Sequence, residues 1–178
     1  MPTDEDQDRW LITRFRDGDR EALSTIYRTH HPAVYRFALY MTNDPDAAAE
    51  VVQEAFVWFI DHPAAYDPAR GSLPCFLSGV ARKMLLRRHR DQQRLQPLAD
   101  SAVRVNLDGA IEASRLRAAI LELPADYRAV VVLCAMENRS YEEAAAILQC
   151  AIGTVRSRLY RAKATLARKL TEVSACTS

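Results

Sequence analysis

Apolar residues recur every three or four positions along most of this chain, and the alternation at period two that is typical of a β-strand is absent. Glycine, which interrupts helices, occurs only five times among 178 residues. The spacing is clearest near the C-terminus, where one apolar stripe contains Ile152, Val155, Leu159, Ala162 and Leu166. A stripe of this kind buries one side of a helix. We therefore expect an all-α fold.

The starts of several helices are marked by capping residues. Asp44 can cap a helix whose first position is Pro45. Ser140 and Glu143 have the spacing of a capping box. This motif predicts a helix over 141–148, followed by a second over about 151–170. Together they form a helix-turn-helix, whose second helix can enter a DNA major groove.

The periodicity is lost between residues 92 and 107, which are rich in Gln, Pro, Asp, Ser and Asn. This composition predicts a flexible linker between two small helical domains, residues 1–91 and residues 108–178. Fully extended, residues 92–114 would reach at most about 75–80 Å, roughly two turns of duplex DNA. Two tethered domains can therefore contact one DNA molecule at well-separated places.

The formal net charge of +1 conceals a segregation of charge along the chain. Residues 41–61 contain five acids and no Lys or Arg, whereas residues 82–90 contain five bases and no acid. Residues 151–171 contain six bases and again no acid. The pattern indicates two surfaces for a polyanion and one for a basic partner.

Other classes of function lack support in the sequence. The four cysteines form no CxxC pair, so we expect Cys75 and Cys134 to be reduced core residues. The four histidines have no metal-ligand spacing, and no phosphate loop or nucleophile–base pair is present. We expect no metal, cofactor or enzymatic activity. With no apolar run long enough for a membrane span and no signal segment, we expect a cytoplasmic protein that does not enter membranes.

Three groups of residues occur in an order and at a spacing typical of one family. The first is residues 44–56, the second is residues 67–77 with 80–82, and the third is residues 123–128 with 140–145 and 153–158. They resemble the core-binding segment, the promoter-melting segment and the fourth region of the extracytoplasmic-function (ECF) sigma factors. These smallest bacterial sigma factors carry only the second and fourth sigma regions. The resemblance implies binding to core RNA polymerase and promoter DNA. Family members are commonly held inactive by an anti-sigma factor, which is therefore a further candidate partner.

The resemblance also implies roles for individual residues. The side chains expected to dock on the polymerase clamp are Glu50, Gln53 and Glu54. The minus-ten promoter element is expected to meet a loop and the basic face of the following helix, through Ser72, Leu73, Arg82, Lys83, Arg87 and Arg90. The minus-thirty-five element is expected to meet the second helix of the helix-turn-helix, through Thr154, Arg156, Ser157, Tyr160, Arg161 and Lys163.

The chain departs from the usual family pattern at a few positions. Phe76 stands where tryptophan is usual, Lys83 where asparagine is frequent, and Pro74 where a polar residue is common. In the helix-turn-helix turn, Gln149 and Ala151 stand where glycine and proline are usual. A second hypothesis stays open at this point, namely a stand-alone helix-turn-helix regulator that binds duplex operator DNA without polymerase.

Overall fold

The computed structural model describes residues 4–95 and 111–175. Regular structure in these two ranges is entirely helical, which confirms the all-α prediction. The α-helices are α1 (Asp4–Arg16), α2 (Arg20–Thr42), α3 (Pro45–Asp61), α4 (Leu73–Leu95), α5 (Ile111–Leu121), α6 (Ala125–Val131), α7 (Tyr141–Leu148) and α8 (Ile152–Ala175). The predicted linker begins inside α4, and its residues 96–107 lie outside the described ranges.

Side-chain caps determine where α2 and α3 begin. The carboxylate of Asp19 accepts hydrogen bonds from the backbone N–H groups of Glu21 and Ala22 at the start of α2. Asp44 does the same for Asp46 and Ala47 at the start of α3, as its position before Pro45 predicts. Such caps satisfy amides that have no partner within the helix.

The proline inside α2 does not end that helix. We expected His30, His31 and Pro32 to interrupt it, but α2 is helical throughout. Buried contacts on both sides of Pro32 offset the hydrogen bond that proline cannot donate. Among them, His30 is buried and pairs through Nε2 with Oδ1 of Asp8 in α1 at 2.8 Å.

The N-terminal half is a four-helix unit built from α1 to α4. Its core consists of the apolar faces of these helices, and the largest fully buried side chains there are Ile12, Ile26, Phe59, Leu73 and Leu77. Two short 3₁₀ segments, Pro63–Ala65 and Pro68–Arg70, connect α3 to α4. The connection places the start of α4 beside the end of α3.

The C-terminal half packs α5 to α8 around a second core that contains Val130, Leu133, Ile147 and Val155. Between α6 and α7, a π-helical turn spans Val132–Met136. Asn138 then adopts a left-handed conformation with φ of 51°, as its type predicts for a residue that ends a helix.

The two halves pack against each other in this structure. Phe37 of α2 and Cys75 of α4 are buried in the second core. The hydroxyl of Ser72 donates to Oε1 of Glu143 in α7 at 2.7 Å, and Nη1 of Arg128 donates to the carbonyl oxygen of Tyr40 at 3.1 Å. The sequence predicted tethered domains but not this contact.

Candidate functional site

The helix-turn-helix is formed by α7 and α8 in the positions that the sequence predicts. The Ser140 hydroxyl accepts from the N–H of Glu143 at 3.1 Å, and the Glu143 carboxylate accepts from the N–H of Ser140 at 3.0 Å. The capping box is thus confirmed. Gln149 occupies the turn with φ of 54°, a left-handed conformation that costs a side-chain-bearing residue about 1–2 kcal/mol. The turn therefore forms without the usual glycine.

The outer face of α8 presents most of the residues expected to meet the minus-thirty-five element. Tyr160 is 78% exposed, Thr154 is half-buried, and the exposed members of the set are Arg156, Ser157, Arg161 and Lys163. The opposite face is buried in the second core. The guanidinium carbon of Arg156 lies 5.7 Å from the ring centre of Tyr141, the first residue of α7. A cation over a ring face is attracted to it, so Tyr141 orients this arginine.

Two further bases of α8 are held by acids of neighbouring helices. Nη2 of Arg158 lies 2.6 Å from Oδ2 of Asp126 in α6. Lys169 pairs with Glu122, which follows α5. These two ion pairs brace α8 against the rest of the C-terminal half.

The residues predicted for the minus-ten element differ in their exposure to solvent. Lys83, Arg87 and Arg90 are exposed, and Arg82 is half-buried. Leu73 is fully buried in the first core, and Ser72 is bound to Glu143. In this conformation the basic side chains are accessible, whereas Leu73 at the start of α4 is buried and the hydroxyl of Ser72 is engaged by Glu143.

A crevice of about 600 Å³ lies beside this loop, between the two halves. The N-terminal half contributes Tyr66, Phe76 and Lys83 to its walls, and α7 contributes Ile147. Aromatic walls with a nearby cation suit an unpaired base. The helix-turn-helix closes one side of the crevice in this structure.

The residues predicted for polymerase docking share the exposed face of α3. Glu50, Gln53 and Glu54 are exposed, and Val57 beside them is 49% exposed. Arg88 of α4 reaches across to both glutamates: its Nη1 lies 2.7 Å from Oε2 of Glu50, and its Nη2 lies 2.6 Å from Oε1 of Glu54. The hydrogen bond that Arg88 donates to the Glu54 carboxylate is the main cause that raises the pKa of Arg88.

The sequence did not predict the pairing of Arg88. Arg88 was not among the residues expected to bind DNA or polymerase, because its position lies near the apolar stripe of α4. The partners are 38 and 34 residues away in sequence. The acid-rich segment and the base-rich segment were both visible, but only the packing of α3 on α4 brings them together.

The three cysteines within the described ranges, Cys75, Cys134 and Cys150, are free thiols. Burial, followed by the nearby charge of Glu143, raises the pKa of the Cys75 thiol to about 11, so it is neutral at ordinary pH. Within residues 4–95 and 111–175, no group of His, Cys, Asp and Glu side chains could hold a metal ion. In those same ranges, no helix has the length and apolar character of a membrane span.

Both halves of the chain match known protein families. The Sigma-70 region 2 family model matches residues 26–95, and the Sigma-70, region 4 model matches residues 113–166. ECF RNA polymerase sigma factor EcfG of Rhodopseudomonas palustris is 30% identical over 145 residues, covering 78% of this chain and 80% of that protein. ECF RNA polymerase sigma factor SigM of Mycobacterium tuberculosis strain H37Rv is 32% identical over 178 residues, covering 93% and 86%.

A solved structure agrees with these sequence matches. The sigma factor RpoE of Bartonella quintana, in complex with the anti-sigma factor NepR, superposes with a TM-score of 0.73 at 25% identity. The match covers 83% of this chain and 96% of that one. A match to both sigma regions does not favour a stand-alone regulator. The chain belongs to the extracytoplasmic-function RNA polymerase sigma factors, which direct promoter-specific transcription.

Proposed function

We propose that this sigma factor divides promoter-specific initiation among three surfaces, each on a different helix. The exposed face of α3 binds core RNA polymerase, the basic face of α4 binds the minus-ten element, and α8 binds the minus-thirty-five element. The observation that supports this proposal is that exposed acids and exposed bases lie on different helices. Acids face outward on α3, whereas bases face outward on α4 at Lys83 and Arg90 and on α8 at Arg156, Arg161 and Lys163.

The polymerase-binding surface consists of Glu50, Gln53 and Glu54 around the exposed Val57. Carboxylates surrounding an apolar side chain suit a partner that offers basic groups and an apolar contact. Charge complementarity of this kind steers association and fixes orientation. Docking through α3 leaves α8, in the other half, available for DNA.

The upstream surface consists of Arg156, Ser157, Tyr160 and Arg161, with Thr154 and Lys163 at its edges. An exposed arginine on a recognition helix can pair with a guanine edge through two hydrogen bonds. Lys163 and the hydroxyl groups suit phosphate contacts, which position the helix without reading sequence.

The downstream surface consists of Arg82, Lys83, Arg87 and Arg90 on α4, next to Ser72. These bases neutralise phosphates, and the aromatic crevice beside Ser72 receives an unpaired base once strands separate. Leu73, being buried, acts by holding the loop in place. Ser72 becomes available only when its bond to Glu143 breaks, so binding both promoter elements requires the halves to separate.

The linker over residues 92–107, between domains 1–91 and 108–178, permits this separation. The residues between α4 and α5, 96–110, would span at most about 50–55 Å if extended, or roughly one and a half turns of duplex, which lets α8 and α4 contact one promoter together. We further propose that the protein acts in the cytoplasm, where polymerase is found, by binding alone and without covalent chemistry. An anti-sigma factor is a candidate partner because the similar RpoE structure contains one.

Charge reversal at Glu54 tests the polymerase-binding surface. Glu54→Lys should weaken association with core polymerase at least tenfold, because an exposed acid at a charged interface becomes a repulsive base. The free energy of unfolding should fall by about 1 kcal/mol, because the partly exposed ion pair with Arg88 is also lost, so the protein stays folded in the binding assay. Asp17→Lys, an equal charge change at an exposed site after α1, is the matched control. Unchanged affinity for core in Glu54→Lys would refute the assignment of this face.

A further inference from the structure

The two glutamates of the proposed polymerase-binding surface are neighbours of like charge. Glu50 and Glu54 lie four residues apart on α3, where adjacent carboxylates repel each other. They are also well hydrated, with side chains 62% and 46% exposed. Unrestrained glutamates in such a setting sample many rotamers, and a partner must order them on binding.

Arg88 restrains both carboxylates at once. Its side chain is 31% exposed, half sheltered in the groove between α3 and α4. Two different nitrogens of one planar guanidinium bind one oxygen of Glu50 and one of Glu54, at 2.7 and 2.6 Å. Because the planar guanidinium group is rigid, it fixes the distance between the two carboxylates as well as their rotamers. The second oxygen of each carboxylate stays available to a donor on a partner.

Arg88 also differs from the bases around it. Lys83, Arg87 and Arg90 on the same helix are exposed, and Nε of Arg87 lies 4.0 Å from Oδ2 of Asp91 on its own helix. Arg88, in contrast, forms ion pairs with two acids of α3. Its role therefore belongs with the acidic surface and not with DNA.

We propose that Arg88 is a positioning residue for polymerase binding, which holds Glu50 and Glu54 in the arrangement that the polymerase accepts. This inference rests on the proposed function of the α3 face. If Arg88 acts by positioning, its removal should change the affinity for polymerase in the direction opposite to that expected from its charge alone. Removing a positive charge from an acidic surface should tighten its binding to a basic partner, whereas loss of positioning weakens it.

The experiment measures the affinity of the full-length chain for core polymerase in solution without DNA. Arg88→Met, which keeps the aliphatic stem, should weaken binding about three- to tenfold, the range expected from losing two partly exposed ion pairs. Arg88→Lys should bind with intermediate affinity, because an ammonium ion can hold one carboxylate but lacks the fork that spans two. Arg9→Met, the same charge change at an exposed site on α1, should bind like the parent protein.

A double-mutant cycle shows whether Arg88 acts through the glutamates. Adding Arg88→Met to Glu50→Gln/Glu54→Gln should change affinity by no more than about twofold. An equal loss in both backgrounds would mean that Arg88 touches polymerase directly, and it would overturn the inference. Unchanged or tighter binding by Arg88→Met in the parent background would also overturn it.

The same variants separate this inference from the proposed function. If Glu50→Gln/Glu54→Gln alone binds core polymerase normally, the α3 face is not the docking surface and both proposals fail. If that double variant binds weakly while Arg88→Met does not, only the positioning role fails. A melting temperature of Arg88→Met close to that of the parent protein excludes general unfolding as the cause of weaker binding.

Discussion

The role open to a basic side chain depends on whether an acid from another helix already forms an ion pair with it. On α8, Arg158 is paired with Asp126, whereas Arg156 and Arg161 are exposed. These arginines look alike in sequence, being separated by two and three positions in one basic run. The structure pairs one of them with an acid and leaves the other two exposed.

Arg156→Ala and Arg161→Ala should each reduce initiation in a way that depends on the upstream promoter element. If either arginine pairs with a guanine, its loss costs about 1–3 kcal/mol at the cognate sequence and little where that base is changed. Run-off transcription with core polymerase on promoters altered one base pair at a time measures this.

Arg115→Ala is the control for that experiment, because Arg115 is exposed on α5, outside the recognition face. It should leave initiation unchanged on every promoter. A uniform reduction by Arg156→Ala or Arg161→Ala across all promoters would reassign that arginine to a phosphate contact.

Single helices were predicted well where their ends carry strong local signals. Asp44 and Pro45 start α3 as expected, and Ser140 with Glu143 starts α7. Caps are contacts within a few residues, so the sequence contains all the information they need. Longer-range effects were missed: α2 continues through Pro32, and α4 extends to Leu95, four residues past the predicted end of the first domain.

The capping box of α7 supports a direct stability test. Ser140→Ala removes the oxygen that accepts from Glu143 N–H and should lower the free energy of unfolding by about 0.5–2 kcal/mol. Urea unfolding followed by circular dichroism measures the change. Ser24→Ala, at an exposed serine of α2, is the control and should stay within about 0.5 kcal/mol. A loss no greater than that of the control would show that the cap does not stabilise α7.

The packing of the two halves is a property of the whole molecule that local patterns do not contain. Ser72 and Glu143 are 71 residues apart in sequence, and Cys75 bonds to the backbone of the same glutamate from 68 residues away. Periodicity showed that Cys75 lies on an apolar face but not which helix covers it. The family resemblance predicts which helices are functional, and only the three-dimensional structure shows that Ser72 is bound to Glu143 of α7.

Thiol reactivity reports on this packing. The pKa of Cys75 is raised from 9.0 to about 11, so at pH 8 only about one thiol in a thousand is the reactive thiolate. In a protein whose only cysteine is Cys75, alkylation should be slow and should accelerate about tenfold per pH unit from 8 to 10. A matching protein with only Cys150, which is half-buried, is the comparison. If Cys75 reacts as fast as a free thiol and levels off near pH 9, the halves are apart in solution.

The most direct test of the central claim is transcription in vitro from a genomic DNA library, with core polymerase and this chain as the only added factors. Transcription start sites should appear only when both proteins are present, and these sites should share two upstream sequence elements. Glu54→Lys should abolish these transcripts without changing the fold. A protein that binds duplex DNA tightly by itself, yet neither associates with core polymerase nor directs any start site, would contradict the account.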